Sequence, residues 1–214
     1  MAGETAPCRA AVDGQVIQFR WHGTKIRLDF SFFAAAALLG LLGGTGSFLR
    51  MLAACTLHEA GHLAVMLLLR QRVRSITCYG VGICIRPASY GTYGQDVLVL
   101  LAGPLCNLFM GAGIWLTAGM TPFAMLHLGL GLFNLLPYAQ LDGGAVLYAL
   151  LLAGNVTPRT AEQVRSGLCL LLTVVLLWLA ICHGVTNLTF YGMLLYLLVT
   201  QFFVSNGKPH RIAS

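Results

Sequence analysis

Six long apolar stretches, at about 28–46, 50–69, 96–118, 121–141, 166–183 and 187–205, run through this chain of 214 residues with short connections between them. The hydrocarbon core of a bilayer takes about 20 apolar residues of helix, so each stretch has roughly the length of one crossing. Hydrophobic residues make up 57% of the sequence and charged residues 9%, far from the balance of a soluble domain. The expected fold is an all-α polytopic membrane protein with about six transmembrane helices. Too little chain remains for a separate soluble domain of ordinary size. The first stretch is too long, and begins too late, for the core of a cleaved signal, and reads as a retained span.

Six crossings put both termini on one side. Arg9, Arg20, Lys25, Arg27, Arg70, Arg72, Arg74, Arg86, Arg159, Arg165, Lys208 and Arg211 share that side, and only Arg50 lies opposite. The bias places the termini in the cytosol. It also accounts for the net charge of +6, since the cations are scattered beside spans rather than clustered, and no nucleic-acid partner is expected.

Two stretches do not read as helix. Residues 16–30 alternate around His22-Gly23-Thr24, and residues 76–95 are rich in glycine, tyrosine and β-branched side chains, so both suggest small β-hairpins at the cytosolic face. Residues 1–27 then form a cytosolic N-terminal segment, 28–205 the membrane domain and 206–214 a cytosolic tail, with one polar linker at 154–165 that starts a new helix after Pro158. The seven cysteines are odd in number and lie mostly in apolar runs without disulfide or zinc-knuckle spacing, so they are read as small filling residues.

The second stretch carries HEAGH at 58–62. On a helix, positions i and i+4 share a face, about 6 Å apart, so His58 and His62 can reach one metal ion. Glu59 is rotated by roughly 100° from His58 and is left free to act as a general base. Chance would produce such a spacing in about one chain in 400 of this composition, and an ionisable residue at membrane depth costs a few kcal/mol unless paired or functional. The alternative is a buried polar cluster that ties helices together by hydrogen bonds.

A catalytic zinc takes three protein ligands and leaves one position for water. The third candidate is Asp142, the only acid between Asp96 and Glu162, at the end of the fourth stretch where Pro137 and Gly143-Gly144 break the helix. The second and fourth stretches run in the same direction, and His62 lies eight residues, or ~12 Å, from the cytosolic end at Arg70, so the three side chains share a leaflet. Asp142 as a helix cap or an interfacial acid is the competing reading.

HEAGH in a span, AGPLCN at 102–107 and NLLPYAQLDGG at 134–144 together resemble the site-2 protease family of intramembrane zinc metalloproteases, over roughly residues 24–205. The third motif matches that family's Asn-x-x-Pro-x-x-x-x-Asp-Gly pattern and is more specific than the histidine pair. The small size, the KIRLDFSFF segment at 25–33 and the lack of a PDZ insertion look most like the branch containing stage IV sporulation protein FB, though without that branch's CBS domain.

The resemblance implies one zinc ion per chain held by His58, His62 and Asp142, with Glu59 as the general base. It also implies a substrate-backbone or oxyanion contact from Asn134, with an interhelical hydrogen bond as the other reading of that residue. The expected substrate is a membrane-tethered regulatory protein cut within or near its transmembrane segment, such as a sigma-factor precursor in sporulation. A regulatory membrane partner and a bacterial cell membrane go with that reading. Substrate must unwind to be cut, and residues 76–95 could lend it an edge strand. A catalytically silent scaffold and a metal transporter of the same architecture are the rivals; a scaffold has no need of Glu59, and a transporter needs polar groups along a path rather than at one depth.

Other polar residues in apolar runs are read as structural. Asn107 follows Gly103-Pro104 and is assigned to packing. His127, fifteen residues before Asp142, is placed near the opposite leaflet, while His22, His183 and His210 fall at boundaries or in tails. Cys78 and Cys84 are apolar filling, and Trp21, Trp115 and Trp178 interface or lipid-facing aromatics.

Overall fold

The computed structural model describes residues 15–21, 24–79, 82–87 and 91–206. Among them are four strands, β1 (Gln15–Trp21), β2 (Thr24–Asp29), β3 (Val73–Tyr79) and β4 (Gly82–Pro87), and six helices. The helices are α1 (Phe30–Leu68), α2 (Tyr93–Ala118), α3 (Pro122–Asn134), α4 (Asp142–Ala153), α5 (Pro158–Cys182) and α6 (Leu188–Asn206). Three helical segments are long and apolar enough to cross a membrane: Gly44–Leu68, Tyr93–Ala118 and Pro158–Cys182. Asp142–Ala153 and Leu188–Gln201 are shorter apolar helices.

The strands form one sheet in the order β1-β2-β3-β4. The two expected hairpins are its antiparallel pairs, and they are joined by a parallel ladder in which Lys25 faces Ser75 and Leu28 faces Cys78. Parallel neighbours need a crossover, and α1 supplies it. Gly44 interrupts α1 with φ 71 and ψ 159, a conformation that favours glycine, so the expected division into two segments falls there and not at 47–49.

Threonine N-caps start three of the helices. Thr92 and Gln95 form a reciprocal capping box, and Thr121 and Thr157 each precede a proline in the first turn. The 76–95 segment is therefore sheet only up to Pro87 and has become helix by Tyr93.

The largest departure from expectation lies between α3 and α4. The fourth stretch does not run as helix to residue 141: α3 stops at Asn134, residues 135–141 turn, and Asp142 is the first residue of a new helix. Pro137 and Gly143-Gly144 mark the break in the sequence, but hydropathy does not place its ends, because the chain is apolar on both sides. The turn's backbone is held by neighbours. The Cys169 thiol donates to the Pro137 carbonyl at 2.8 Å, the Ala139 N–H donates to Gln201 Oε1 at 2.8 Å, and the Leu141 N–H donates to the Tyr138 carbonyl at 3.0 Å. Tyr138 is fully buried, with its hydroxyl 2.7 Å from Thr173 Oγ1. Irregular backbone in a membrane protein survives only where its polar groups are satisfied in this way.

Polarity is reversed relative to a soluble protein. The buried set includes His58, His62, Asn107, His127, Arg165, Thr173 and Gln201, while Leu68, Phe109, Leu116, Trp178, Ile181 and Leu188 are exposed. That is the distribution of a chain whose surroundings are hydrocarbon.

A β-carbon on Gly143 would collide with the Leu135 carbonyl, and one on Gly144 with the Tyr138 carbonyl, so the first turn of α4 lies directly on the preceding turn. Gly144→Ala should cost about 1–3 kcal/mol, as overpacking of backbone against backbone does, and thermal unfolding of the detergent-solubilised protein should show it as a lowered midpoint.

Candidate metal centre

His58 and His62 lie one turn apart on α1, and their buried rings meet edge to face with centroids 4.8 Å apart. Asp142, at the start of α4, brings its carboxylate to them. Its Oδ2 lies 3.0 Å from His58 Nε2 and 3.4 Å from His62 Nε2, and the two Nε2 atoms are 3.2 Å apart. A tetrahedral zinc with bonds of about 2.0–2.1 Å would have its ligand atoms about 3.3–3.4 Å from one another, so the triangle has the dimensions of one face of that tetrahedron. Two imidazole nitrogens and one carboxylate oxygen are also a zinc-type donor set. Among the described residues this is the one group of histidine, cysteine and acidic side chains that could hold a metal ion.

The tautomer of His62 fits the same purpose. Its Nδ1–H donates to the Val99 carbonyl at 2.7 Å, which leaves the Nε2 lone pair pointing at the centre of the triangle. A histidine that binds a metal through one nitrogen typically donates from the other to a carbonyl or carboxylate. Asp142 is the first residue of α4, one past the N-cap position held by Leu141, where the positive end of the helix favours a carboxylate, and its Oδ2 is turned to His58.

α2 presses on the pair from the other side. A β-carbon on Gly103 would strike His62 Nε2 and come within 2.9 Å of His58 Nε2, and one on Gly61 would lie 2.7 Å from the Ala102 carbonyl. The glycines of HEAGH and AGPLCN thus both lie in the contact between α1 and α2, each against the partner helix.

Glu59 is half-buried, outside the triangle, and within electrostatic reach of His58, His62 and Asp142. Asn134 is the last residue of α3 and uses one of its N–H groups on the Leu130 carbonyl at 3.0 Å, within its own helix rather than across to another.

His127 and Asn107 make contacts that the sequence reading did not include. His127, expected as a packing or interfacial residue, sits fully buried with its Nδ1 3.1 Å from Asn107 Oδ1. Asn107 Nδ2 is in turn 3.2 Å from His58 Nδ1. The signal available in the sequence was a pair of strongly polar side chains inside otherwise apolar runs.

A helical membrane protein with a histidine–histidine–aspartate centre at the meeting of α1, α2 and α4 is the class these features define. No protein-family model matches the chain. Curated relatives do. It is 29% identical over 192 residues to "Putative zinc metalloprotease sll0528" of Synechocystis sp., covering 78% of this chain and 48% of that protein. It is 28% identical over 136 residues to Stage IV sporulation protein FB of Bacillus subtilis, covering 59% and 47%. The chain spans about half the length of the curated relatives it matches. Among solved structures, Site-2 Protease from Methanocaldococcus jannaschii superposes with a TM-score of 0.58 at 20% identity, over 94% of this chain and 97% of that one, which shows a shared fold. The chain is thus similar in sequence to proteins named as zinc metalloproteases and in fold to a site-2 protease.

Gly103→Val would place two methyl groups where the imidazoles stand. Zinc affinity of the purified variant, read by chelator competition, should fall by at least about tenfold, while its helical circular dichroism stays that of the wild type.

Proposed function

We propose that the chain is an intramembrane zinc metalloprotease of the site-2 type, with one zinc per chain held by His58, His62 and Asp142. The observation that carries this reading is the triangle of ligand atoms at 3.0, 3.2 and 3.4 Å, with the lone pair of His62 aimed into it. Zinc in such a set supplies Lewis acidity, polarising a carbonyl and making water a better nucleophile near neutral pH. Glu59 takes the proton of the attacking water and delivers it to the departing amine nitrogen. Asn134 offers its second amide N–H to the substrate backbone or to the developing oxyanion. The names of the relatives, zinc metalloproteases among them, agree with this chemistry.

Six crossings with both termini in the cytosol is the topology that goes with this function. β2 and β3 pair in one sheet on either side of α1, and a sheet does not straddle hydrocarbon. The chain between them must therefore leave the membrane on the side where it entered. If Gly44–Leu68 crosses, the segment before Gly44 crosses or dips and returns, and the two flank a reversal at the positive-φ glycine. On this reading α3 and α4 make one interrupted crossing, and residues 28–205 are the protease domain.

The substrate is a membrane-tethered regulatory protein whose transmembrane segment unwinds to reach the centre. β4, at one edge of the sheet, is the strand to which an extended segment could add. A bacterial cell membrane and a sigma-factor precursor in sporulation form a narrower version, supported by the likeness to Stage IV sporulation protein FB.

Co-expression with single-span regulatory proteins, scored by substrate size, tests the proposal. Glu59→Gln should keep its zinc and lose cleavage by about 10²–10⁴-fold. Undiminished cleavage by that variant, or a wild-type protein that binds no zinc, would sink the reading.

A further inference from the structure

Asn107 and His127 are among the most deeply buried polar side chains of the protein, at 0% and 1% exposure, and they lie in line behind His58. His58 Nε2 faces Asp142, its Nδ1 faces the Asn107 amide, and the other end of that amide faces His127 Nδ1. The line crosses four elements, α4, α1, α2 and α3, through side chains alone.

Proton bookkeeping gives the line a direction. If His58 offers its Nε2 lone pair to a metal, its ring proton must sit on Nδ1, and that N–H needs an acceptor. As placed, the Asn107 amide turns its Nδ2 to His58 and its Oδ1 to His127, but a carboxamide has nearly the same outline with its two ends exchanged. With the oxygen towards His58, it accepts the Nδ1–H and its NH₂ donates to His127 Nδ1, which accepts in the tautomer protonated on Nε2. With the nitrogen towards His58, it donates to Nδ1, the ring proton moves to Nε2, and the ligand lone pair is gone. The two orientations of one buried amide thus correspond to ligand and non-ligand forms of His58. His127 sets the choice through its own tautomer: with its ring proton on Nε2, its Nδ1 accepts, calls for the nitrogen end of the amide and turns the oxygen to His58.

We infer that Asn107 is a positioning residue for the metal centre and that His127 holds its amide in the ligand-supporting orientation. The inference rests on His58 being a zinc ligand, as proposed above. It assigns the Asn of AGPLCN a role in setting the ring angle and tautomer of His58, in parallel with what the Val99 carbonyl does for His62. The two histidines are then oriented from the same helix, α2.

Zinc titration of the full-length, detergent-purified chain against a competing chelator tests this without any substrate. Asn107→Leu, which is close in shape and lacks both polar ends, should weaken zinc binding by about 10–100-fold. Asn107→Asp, whose carboxylate can still accept from His58 Nδ1–H, should bind within a few-fold of wild type. His127→Leu should fall between them, and the Asn107→Leu/His127→Leu double variant should bind no more weakly than Asn107→Leu alone, because the two act through one bond to His58.

A simple packing role would make the Asp variant no better than the Leu variant, and that result overturns the inference, as does wild-type affinity in Asn107→Leu. Should Leu at 107 prevent folding, His127→Leu carries the test: unchanged zinc affinity there is equally fatal. His58→Ala in the same titration separates the two levels of argument. If it binds zinc as the wild type does, the metal-centre reading itself falls; if it loses zinc while Asn107→Leu does not, only the orienting relay falls.

Discussion

The contact between α1 and α2 is the seam from which the rest is hung. Lipid tails are as apolar as leucine, so helices in a bilayer gain nothing by hiding side chains from water and associate through close packing and hydrogen bonds. Gly61 against the Ala102 carbonyl and Gly103 against the two imidazoles bring the helix backbones near enough for both. That proximity lets Val99 and Asn107 reach the far nitrogens of His62 and His58. α3 follows by the same means, with Gly111 beside Leu128 and Gly131 beside Leu108 and the Pro104 carbonyl. The centre is built from helix contacts in each of which one partner is a glycine.

Asp142 reaches the centre by a different route. Its helix begins at the aspartate, after a turn whose polar backbone groups are taken up by α5 and α6 through Cys169 and Gln201. Gln201 is itself part of a buried polar group, donating to Ser166 at 3.1 Å near the Glu162–Arg165 ion pair. The carboxylate is thereby tied to the C-terminal half of the chain, and the imidazoles to the N-terminal half. Whatever shifts one half against the other changes the size of the triangle.

Much of this could be read from the residues. The i, i+4 histidines with their glutamate, the distant aspartate among helix breakers, the apolar helices and the two hairpins all follow from spacing, periodicity and composition, and the structure gathers the three expected ligands at one point. What escaped was long-range or uniform in hydropathy. The parallel ladder between β2 and β3 joins strands separated by an entire helix, so no local pattern announces it. The break was marked by Pro137, but its start at Asn134 and the new helix from Asp142 were not legible in hydropathy. Asn107 was set down as packing because a single polar residue near glycine and proline says nothing of what lies across from it until the neighbouring helices are in place.

The reversed distribution of polarity has a consequence for sequence drift. In a water-soluble domain the interior resists replacement by anything polar and the surface accepts nearly all changes. Here the outward Leu116, Trp178 and Leu188 can be exchanged freely for other oily residues, since lipid has no shape to match. The inward Thr173, Gln201 and the crowded glycines have almost no acceptable substitutes. Descendants of such a chain would diverge fastest where they are greasiest and stay fixed at a thin thread of small and polar positions, so that overall percentage identity understates how much of the working part is retained.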